Sequence, residues 1–386
     1  MTATTTREMR AEIANPDIRQ LLAPQNRPLL ETLITEARPM PSPVCLTVDL
    51  THRCNGRCGS CIERQGMECS QHADLPAEVA LRLVRESAEA GVKAWGLYGG
   101  EPLLHPAFAE VLLAAAEESL ALSVVTNGML LGRRSVAEAL RRAAATGRLQ
   151  SVRVSLNAGT PAVHARHFGV SPRRFEPTVA ACRELVQGGV PLSVSYLVDA
   201  DNHSDLLAGA RVALEGIGAR RLQVRPATGL HGVGPVELTP QARAGVLRQL
   251  RAAREEWGTR LAVPASFVDW LTTQRSPDTD KQYRWCAFCG LRAVVTPPGP
   301  GRIWACTYFR GVGRFAAGTL PLLEWVRSTD RRRALEGIRP REHCGAVACN
   351  KHVANQWLHG LRAQFARTGR LPALSCVPSE APFFFT

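Results

Sequence analysis

Three closely spaced cysteines are the residues of this sequence best suited to metal chemistry. Cys54, Cys58 and Cys61 form a Cys-x3-Cys-x2-Cys segment directly after a β-prone run. Three thiolates on one tight loop can each bind one iron of a [4Fe–4S] cube. No fourth cysteine follows nearby, so the fourth iron would bind a ligand that is not part of the protein. Such an open iron indicates a reactive site, whereas the alternative, a zinc knuckle, would take His52 or Cys69 as its fourth ligand.

A second group of cysteines lies in the last third of the chain and consists of Cys286, Cys289, Cys306, Cys344 and Cys349. The chain has 12 cysteines, and its first ten residues lack the apolar segment of a secretory signal. Cysteines in such a chain indicate metal or redox chemistry rather than a disulfide framework. The zinc alternative for this group combines Cys286 and Cys289 with residues drawn from Cys306, His343, Cys344 and Cys349.

Alternating β-prone and helical segments predict the fold that positions these cysteines. The β-prone runs are 45–49, 94–98, 120–125, 151–156, 192–198 and 221–225, and helical periodicity marks 76–90, 107–119, 135–145, 177–187 and 240–256. Asp74 is the predicted cap of the first of these helices. Repeated strand–helix units predict an α/β fold with parallel strands and right-handed crossovers, closed most simply as a partial barrel.

Changes in composition divide the chain into four parts. An N-terminal arm (1–43) ends in a proline-rich linker, the barrel follows (44–235), and a helical linker (236–275) leads to a small Cys-rich domain (276–386). Within that domain, the prolines and glycines of 297–301 predict a tight turn between two short strands.

Glycines and short polar residues follow the predicted strands, at the carboxyl ends where parallel sheets and barrels bind ligands. They form three motifs: Gly99-Gly100-Glu101-Pro102, Thr126-Asn127-Gly128 and Ser155-Leu156-Asn157. Two glycines let the backbone approach a ligand closely. The Glu101 carboxylate can accept hydrogen bonds from an ammonium group, and Asn127 and Ser155 offer short polar side chains.

The cysteine triad and these three motifs, in this order, resemble the radical S-adenosylmethionine (SAM) superfamily. The resemblance implies a partial (β/α)6 barrel in which the open iron binds the amino and carboxylate groups of SAM. It also implies that the loop of Gly99, Gly100 and Glu101 contacts the methionine amino group. Asn157 departs from the family pattern, since many relatives carry Asp there.

The second cysteine group resembles a SPASM or shortened "twitch" domain, in which cysteines around a β-hairpin hold an auxiliary [4Fe–4S] cluster. The resemblance implies ligands from Cys286, Cys289, Cys306, Cys344 and Cys349. Five cysteines favour one auxiliary cluster rather than two. The spacing to Val295 fits Cys286 as the first ligand better than Cys289.

The two resemblances together imply an enzyme that uses SAM to generate a 5′-deoxyadenosyl radical, which abstracts a hydrogen atom from a substrate. The leading hypothesis is a radical SAM oxidoreductase or epimerase that acts on an aminocyclitol or sugar-type metabolite in antibiotic biosynthesis. Cys182 is then a candidate hydrogen-atom donor, although a buried helical cysteine is the simpler interpretation. The alternative is a peptide maturase that installs crosslinks. The N-terminal arm of about 40 residues is shorter than the leader-recognition domain that such enzymes often carry.

Other polar residues have weaker signals. His164, Arg166 and His167 could bind a polar substrate, but solvated surface positions are the simpler interpretation. Arg225 ends the sixth predicted strand and is a candidate for contact with substrate or SAM.

Composition limits the other classes of function. The chain has 386 residues, 45% of them hydrophobic, and a net charge of +13. The positive charge is almost all Arg and is spread along the chain, so it does not indicate nucleic-acid binding. No apolar run is long enough for a bilayer. We therefore expect a cytoplasmic enzyme with a small-molecule substrate and an electron donor such as flavodoxin or ferredoxin.

Overall fold

A computed structural model describes residues 27–36, 42–61, 73–227, 237–273, 286, 291–297, 299–305, 316–338 and 352–370. Its sheet contains the strands β1 (Cys45–Thr51), β2 (Ala94–Gly99), β3 (Ala121–Thr126), β4 (Leu149–Ser155), β5 (Leu192–Val198), β6 (Leu222–Pro226), β7 (Leu261–Ala262), β8 (Arg292–Thr296), β9 (Arg302–Trp304) and β10 (Ala316–Thr319). Their order across the sheet is β10-β9-β8-β1-β2-β3-β4-β5-β6-β7.

The described helices mostly connect consecutive strands. They are α1 (Arg27–Thr35), α2 (Ala77–Glu89), α3 (Phe108–Glu117), α4 (Arg134–Ala145), α5 (Pro161–Phe168), α6 (Phe175–Gln187), α7 (Leu206–Arg211), α8 (Pro240–Trp257), α9 (Ala265–Thr273), α10 (Leu322–Arg327), α11 (Thr329–Gly337) and α12 (His352–Thr368). No helix within the described ranges combines the length and apolar character needed to cross a membrane.

The predicted α/β fold is confirmed. The six predicted strands are β1 to β6, and all pair in parallel with their neighbours, as strand–helix repeats require. Two further parallel pairings extend the sheet, β6 with β7 and β1 with β8. The sheet is consistent with a partial barrel.

Alternating side chains give the sheet two different faces. Leu46, Val48 and Leu50 of β1 belong to the hydrophobic core beneath the helices, whereas Thr47 and Asp49 are buried on the opposite face. The same alternation places these polar residues on the opposite face of other strands: Ser123, Arg153, Ser195, Gln223 and Arg292. A one-residue slip in register would exchange the two faces, so the apolar pattern fixes the register. The barrel interior is therefore polar.

Asp74 does not cap α2, which contradicts the prediction. The cap position is Pro76, and no side chain bonds to it. Asp74 instead accepts hydrogen bonds from Thr51 Oγ1 and, through both carboxylate oxygens, from Arg53. Asp74 therefore anchors the segment before the triad instead of capping the helix.

The predicted turn within 297–301 joins β8 to β9, which pair antiparallel. Two buried contacts connect this part of the chain to the barrel. Arg292 Nη1 donates to Thr47 Oγ1 at 2.6 Å, and the Leu322 backbone N–H donates to Glu86 Oε2 at 2.6 Å. The Cys-rich part is thus tied to β1 and α2 of the barrel.

Candidate active site

The cysteine triad lies on the loop that follows β1. Cys54 is exposed, and Cys58 and Cys61 are partly exposed. Burial of the sulfur atoms raises the pKa of Cys54 to about 11 and that of Cys58 to about 12, and the neighbouring thiols contribute to both increases. These two free thiols therefore hold their protons at neutral pH, and metal binding would release them.

The loop offers three thiols, one for each of three irons. Within the described ranges, no group of three or more His, Cys, Asp or Glu side chains is placed to hold a single metal ion. A [4Fe–4S] cluster needs a different arrangement of ligands, because each thiolate binds a different iron atom. The soft donor set and the spacing of the three thiols along one short loop fit an iron–sulfur cluster.

The two glycines after β2 allow contact with the start of the triad loop. A Cβ on Gly99 would collide with the Thr51 carbonyl oxygen, and one on Gly100 would collide with that of Arg53. Gly99 also has a φ of 123°, which favours glycine. The Gly100 N–H donates to Thr51 O, and the Glu101 N–H donates to Arg53 O, both at 2.8 Å. Both glycines therefore allow close packing of this loop against the backbone of the segment before the triad.

Glu101 is a buried brace. Its Oε1 accepts from Thr126 Oγ1 at 2.7 Å and from the Leu103 N–H at 3.1 Å, and its Oε2 accepts from the Asn127 N–H at 2.8 Å. Burial raises its pKa to about 7, against the lowering effect of these bonds. Its side chain is 1% exposed, and these hydrogen bonds are all to groups of the protein. It joins the ends of β2 and β3.

The Asn127 side chain faces the triad loop. Its Nδ2 donates to Asn55 Oδ1 at 2.7 Å and lies 4.0 Å from Cys54 Sγ, while its Oδ1 accepts from the Met129 N–H. Asn127 thereby fixes the loop beside the first cysteine.

The ends of β4 and β5 meet on the polar face. Ser155 Oγ and Ser195 Oγ lie 3.4 Å apart on these neighbouring strands. Asn157 follows β4 with a positive φ of 52°, a conformation that Asn tolerates better than most residues. Its Oδ1 accepts from the Leu197 N–H at 2.8 Å, and its Nδ2 donates to His167 Nε2 at 2.9 Å.

His167 and Asp199 continue this network to the triad loop. His167 Nδ1 lies 3.1 Å from Asp199 Oδ2, which also accepts from Ser60 Oγ at 3.3 Å. His164 and His167 are 0% and 3% exposed, so the interpretation of these histidines as solvated surface residues is wrong. Arg166 is exposed, as expected, and donates to the Asp201 carbonyl.

A comparison with family models finds one similarity, since residues 48–210 match the model of the Radical SAM superfamily. The radical SAM family uses a [4Fe–4S] cluster and SAM, and related SPASM enzymes typically hold an auxiliary cluster. The triad and the three motifs at the strand ends all lie within the matched residues.

The curated proteins to which this chain is similar include PqqA peptide cyclases. One from Ruegeria pomeroyi is 30% identical over 187 residues, 48% of this chain and 47% of that protein. Another from Methylorubrum populi is 27% identical over 297 residues, 75% of this chain and 71% of that protein. The chain thus spans about half the length of the first relative. The relatives are not aminoglycoside-tailoring enzymes, so the expected small-metabolite substrate finds no support among them.

Solved structures are similar to this chain in fold. Streptococcus suis SuiB bound to precursor peptide SuiA has a TM-score of 0.60 and 16% identity, covering 82% of this chain and 71% of that one. Native anSMEcpe with bound AdoMet and the Kp18Cys peptide has a TM-score of 0.55 and 14% identity, covering 80% and 90%. At these identities the likeness concerns the fold alone.

Several residues of the candidate site were not predicted from the sequence. Asp199 follows β5 directly, so the rule that ligand-side residues follow strands could have identified it. Arg153 lies in the middle of β4 on the polar face and is buried, with 4% exposure. Arg53, which carries the bidentate bond to Asp74, had no signal beyond its place beside Cys54. Arg225 lies in β6 on the polar face, in keeping with the predicted contact surface.

Cys182 is not brought to the triad. Helix α6 buries it completely in the hydrophobic core between the helices and the sheet, and burial raises its pKa to about 12. This is the opposite face of the sheet from the polar interior, so the structure does not support a hydrogen-atom donor at this position. Among the predicted auxiliary ligands, Cys286 is half-buried and packs against the core. Cys289, Cys306, Cys344 and Cys349 lie outside the described residues.

Proposed function

We propose that this radical SAM enzyme modifies a peptide by joining two of its side chains. The observation that carries the proposal is the match to PqqA peptide cyclase from Methylorubrum populi, which extends over 75% of this chain. That alignment is longer than the radical SAM domain itself and includes sequence beyond it. The proposal selects the peptide maturase over the aminocyclitol enzyme that the sequence analysis placed first.

Cys54, Cys58 and Cys61 are the proposed ligands of the SAM-binding cluster. When bound, the cluster and SAM supply the radical chemistry that removes a hydrogen atom from the substrate. Gly99, Gly100, Asn127 and Ser155 are the proposed contacts for SAM, the glycines through their backbone. Glu101 contributes by holding the ends of β2 and β3 together rather than by direct contact. An acidic one-electron carrier such as flavodoxin or ferredoxin is the proposed reductant.

The Cys-rich domain is the proposed site of one auxiliary [4Fe–4S] cluster. Its ligands would come from Cys286, Cys289, Cys306, Cys344 and Cys349. A crosslink forms one bond with loss of two hydrogen atoms, and only one of these leaves through the hydrogen abstraction. The second leaves as a proton and an electron, so the reaction needs an electron acceptor near the substrate.

The polar barrel interior suits a substrate with polar or acidic side chains. Arg153 and Arg225 project from strands of this face, and a guanidinium group can bind a carboxylate in a bidentate manner. Asp49 on β1 is the acidic counterpart on the same face and is fully buried. A peptide whose reacting residues enter the barrel would meet this charged lining.

Anaerobic turnover assays test the proposal. The reconstituted enzyme is given SAM, a reductant and, in separate reactions, each short peptide encoded beside its gene or an aminocyclitol. We expect a peptide product that is lighter by two hydrogen atoms, and an amount of 5′-deoxyadenosine that increases in proportion to this product. Aminocyclitol oxidation or epimerisation with every peptide unchanged would contradict it.

A further inference from the structure

The radical SAM domain contains a buried chain of hydrogen bonds that ends on the triad loop. It runs from Asn157 to His167, from His167 to Asp199, and from Asp199 to Ser60, which lies between Cys58 and Cys61. Asn157, His167 and Asp199 are 3%, 3% and 6% exposed. A buried network of this kind is maintained only where each polar group is satisfied.

The direction of every bond in the chain can be assigned. Because Asn157 Oδ1 accepts from the Leu197 N–H, its Nδ2 must be the donor to His167 Nε2. His167 therefore carries its proton on Nδ1, which donates to Asp199 Oδ2. Asp199 also accepts from the Asp201 N–H at 3.0 Å through its other oxygen. The network thus holds Asp199 as an acceptor-only carboxylate.

The Asp199 carboxylate lies against the triad loop. Its Oδ2 accepts a hydrogen bond from Ser60, two residues after Cys58 in the loop. A fixed negative charge beside a thiolate ligand opposes the addition of an electron to the cluster that the thiolate binds. Net charge and hydrogen bonds near the sulfurs are among the factors that set iron–sulfur potentials.

We propose that Asp199 is a positioning and tuning residue for the SAM-binding cluster. Its carboxylate, held by His167 and Asn157, fixes the loop through Ser60 and makes the cluster harder to reduce. This inference rests on the proposed cluster at Cys54, Cys58 and Cys61 but not on the identity of the substrate. A lower reduction potential makes the reduced cluster a stronger electron donor to the sulfonium of SAM. It also means that a stronger reductant is needed to reduce the cluster.

The test is an EPR-monitored redox titration of the reconstituted full-length protein, with inorganic iron and sulfide as the cluster source. The signal that changes when SAM is added identifies the triad cluster and separates it from any auxiliary cluster. Asp199→Asn removes the charge with little change in shape and should shift the midpoint of this signal to more positive values. The matched control is Asp201→Asn, which makes the same change at an exposed position of the same loop and should leave the midpoint unchanged.

A midpoint for Asp199→Asn equal to that of wild type, with full iron content, would overturn the proposal. If Asp199→Asn does not assemble the triad cluster, Asp199→Glu decides, because it retains the charge: a wild-type midpoint supports the proposal, and a positive shift contradicts it. Failure of both variants to bind the cluster would make Asp199 a folding requirement only and would also reject the tuning role. A wild-type protein without a SAM-responsive signal would reject the proposed function itself before the variants are compared.

Discussion

Glu101 accepts a hydrogen bond from the Asn127 backbone N–H, and this 2.8 Å contact joins the loop after β2 to the loop after β3. The same carboxylate accepts from Thr126 and Leu103 through its other oxygen. Three donors converge on one buried side chain, so the two loops cannot move independently. Both loops contact the start of the triad segment, which makes this brace a support for the cluster ligands.

Replacing Glu101 with Gln should destabilise the apoprotein by about 1–3 kcal/mol, because either orientation of the amide leaves a backbone or hydroxyl donor facing an NH₂ group. Urea denaturation measures the effect. Glu117→Gln, at an exposed position on α3, is the control and should change stability little. Equal stability of the two variants would show that the brace contributes nothing.

Gly100→Ala should prevent the triad loop from adopting its described shape, since the added Cβ would collide with the backbone carbonyl of Arg53. Iron content after reconstitution should fall by about half, from about eight to about four irons per chain, because each cube holds four. Gly59→Ala is the matched control in the triad loop itself, where an added Cβ meets nothing. Full iron loading of Gly100→Ala would contradict the close packing of the two loops.

The stability of the protein should decrease on acidification because of His164. This side chain is fully buried between the rings of Phe168 and Phe175, and neither ring nitrogen has a hydrogen-bond partner among the described residues. Burial, with a smaller effect from His167, lowers its pKa to about 4 from an ordinary value of 6.5. Below pH 6.5 His164 binds a proton in the unfolded chain but not in the folded chain. The free energy of unfolding therefore decreases as the pH falls towards the pKa of His164 in the folded protein.

This loss can reach about 3 kcal/mol. His164→Phe should remove it, giving a variant whose free energy of unfolding changes less between about pH 7 and pH 4.5 than that of wild type. Urea denaturation of the apoprotein across this range is the measurement. If the free energy of unfolding decreases equally with falling pH in the two proteins, His164 is not the cause of the loss.

Cys182→Ala should lower stability by about 1 kcal/mol, through a small core cavity, without abolishing SAM cleavage. Cys182→Ser should be worse, because it buries a hydroxyl in an apolar environment. The measurements are denaturation midpoints and 5′-deoxyadenosine yield per chain. A stable Ala variant that cleaves SAM but makes no modified product would restore Cys182 as a hydrogen-atom donor.

The auxiliary ligands can be assigned by iron analysis. Cys286→Ala should remove the auxiliary cluster and about four irons per chain, whereas Cys289→Ala should retain them. The opposite pattern would make Cys289 the first ligand. Retention of all iron in both variants would argue against an auxiliary cluster in this domain.

The strands and the triad were predictable because each has a local signal. All six β-prone runs became parallel strands, and the cysteine spacing is contained within eight residues of the triad loop. The glycines after β2 also carried a signal, since they indicated that a backbone must approach closely. The close approach of these glycines to the backbone of Thr51 and Arg53 was not visible in the sequence.

Contacts between residues that are far apart along the chain could not be predicted from the sequence. Ser60 meets Asp199 across 139 positions, and Arg292 meets Thr47 across 245. Such pairs depend on which strands become neighbours, and the pairing of β8 with β1 had no local signal. The substrate class could not be decided from the sequence either, since the triad and the strand-end motifs indicate the cofactor and not the substrate.

The most direct test of the account is the effect of SAM on the EPR spectrum of the dithionite-reduced, anaerobically reconstituted protein. We expect SAM to change the spectrum of one cluster and Cys54→Ala, Cys58→Ala or Cys61→Ala to abolish that change. A spectrum that is identical with and without SAM, in protein with full iron content, would contradict an open iron at this triad.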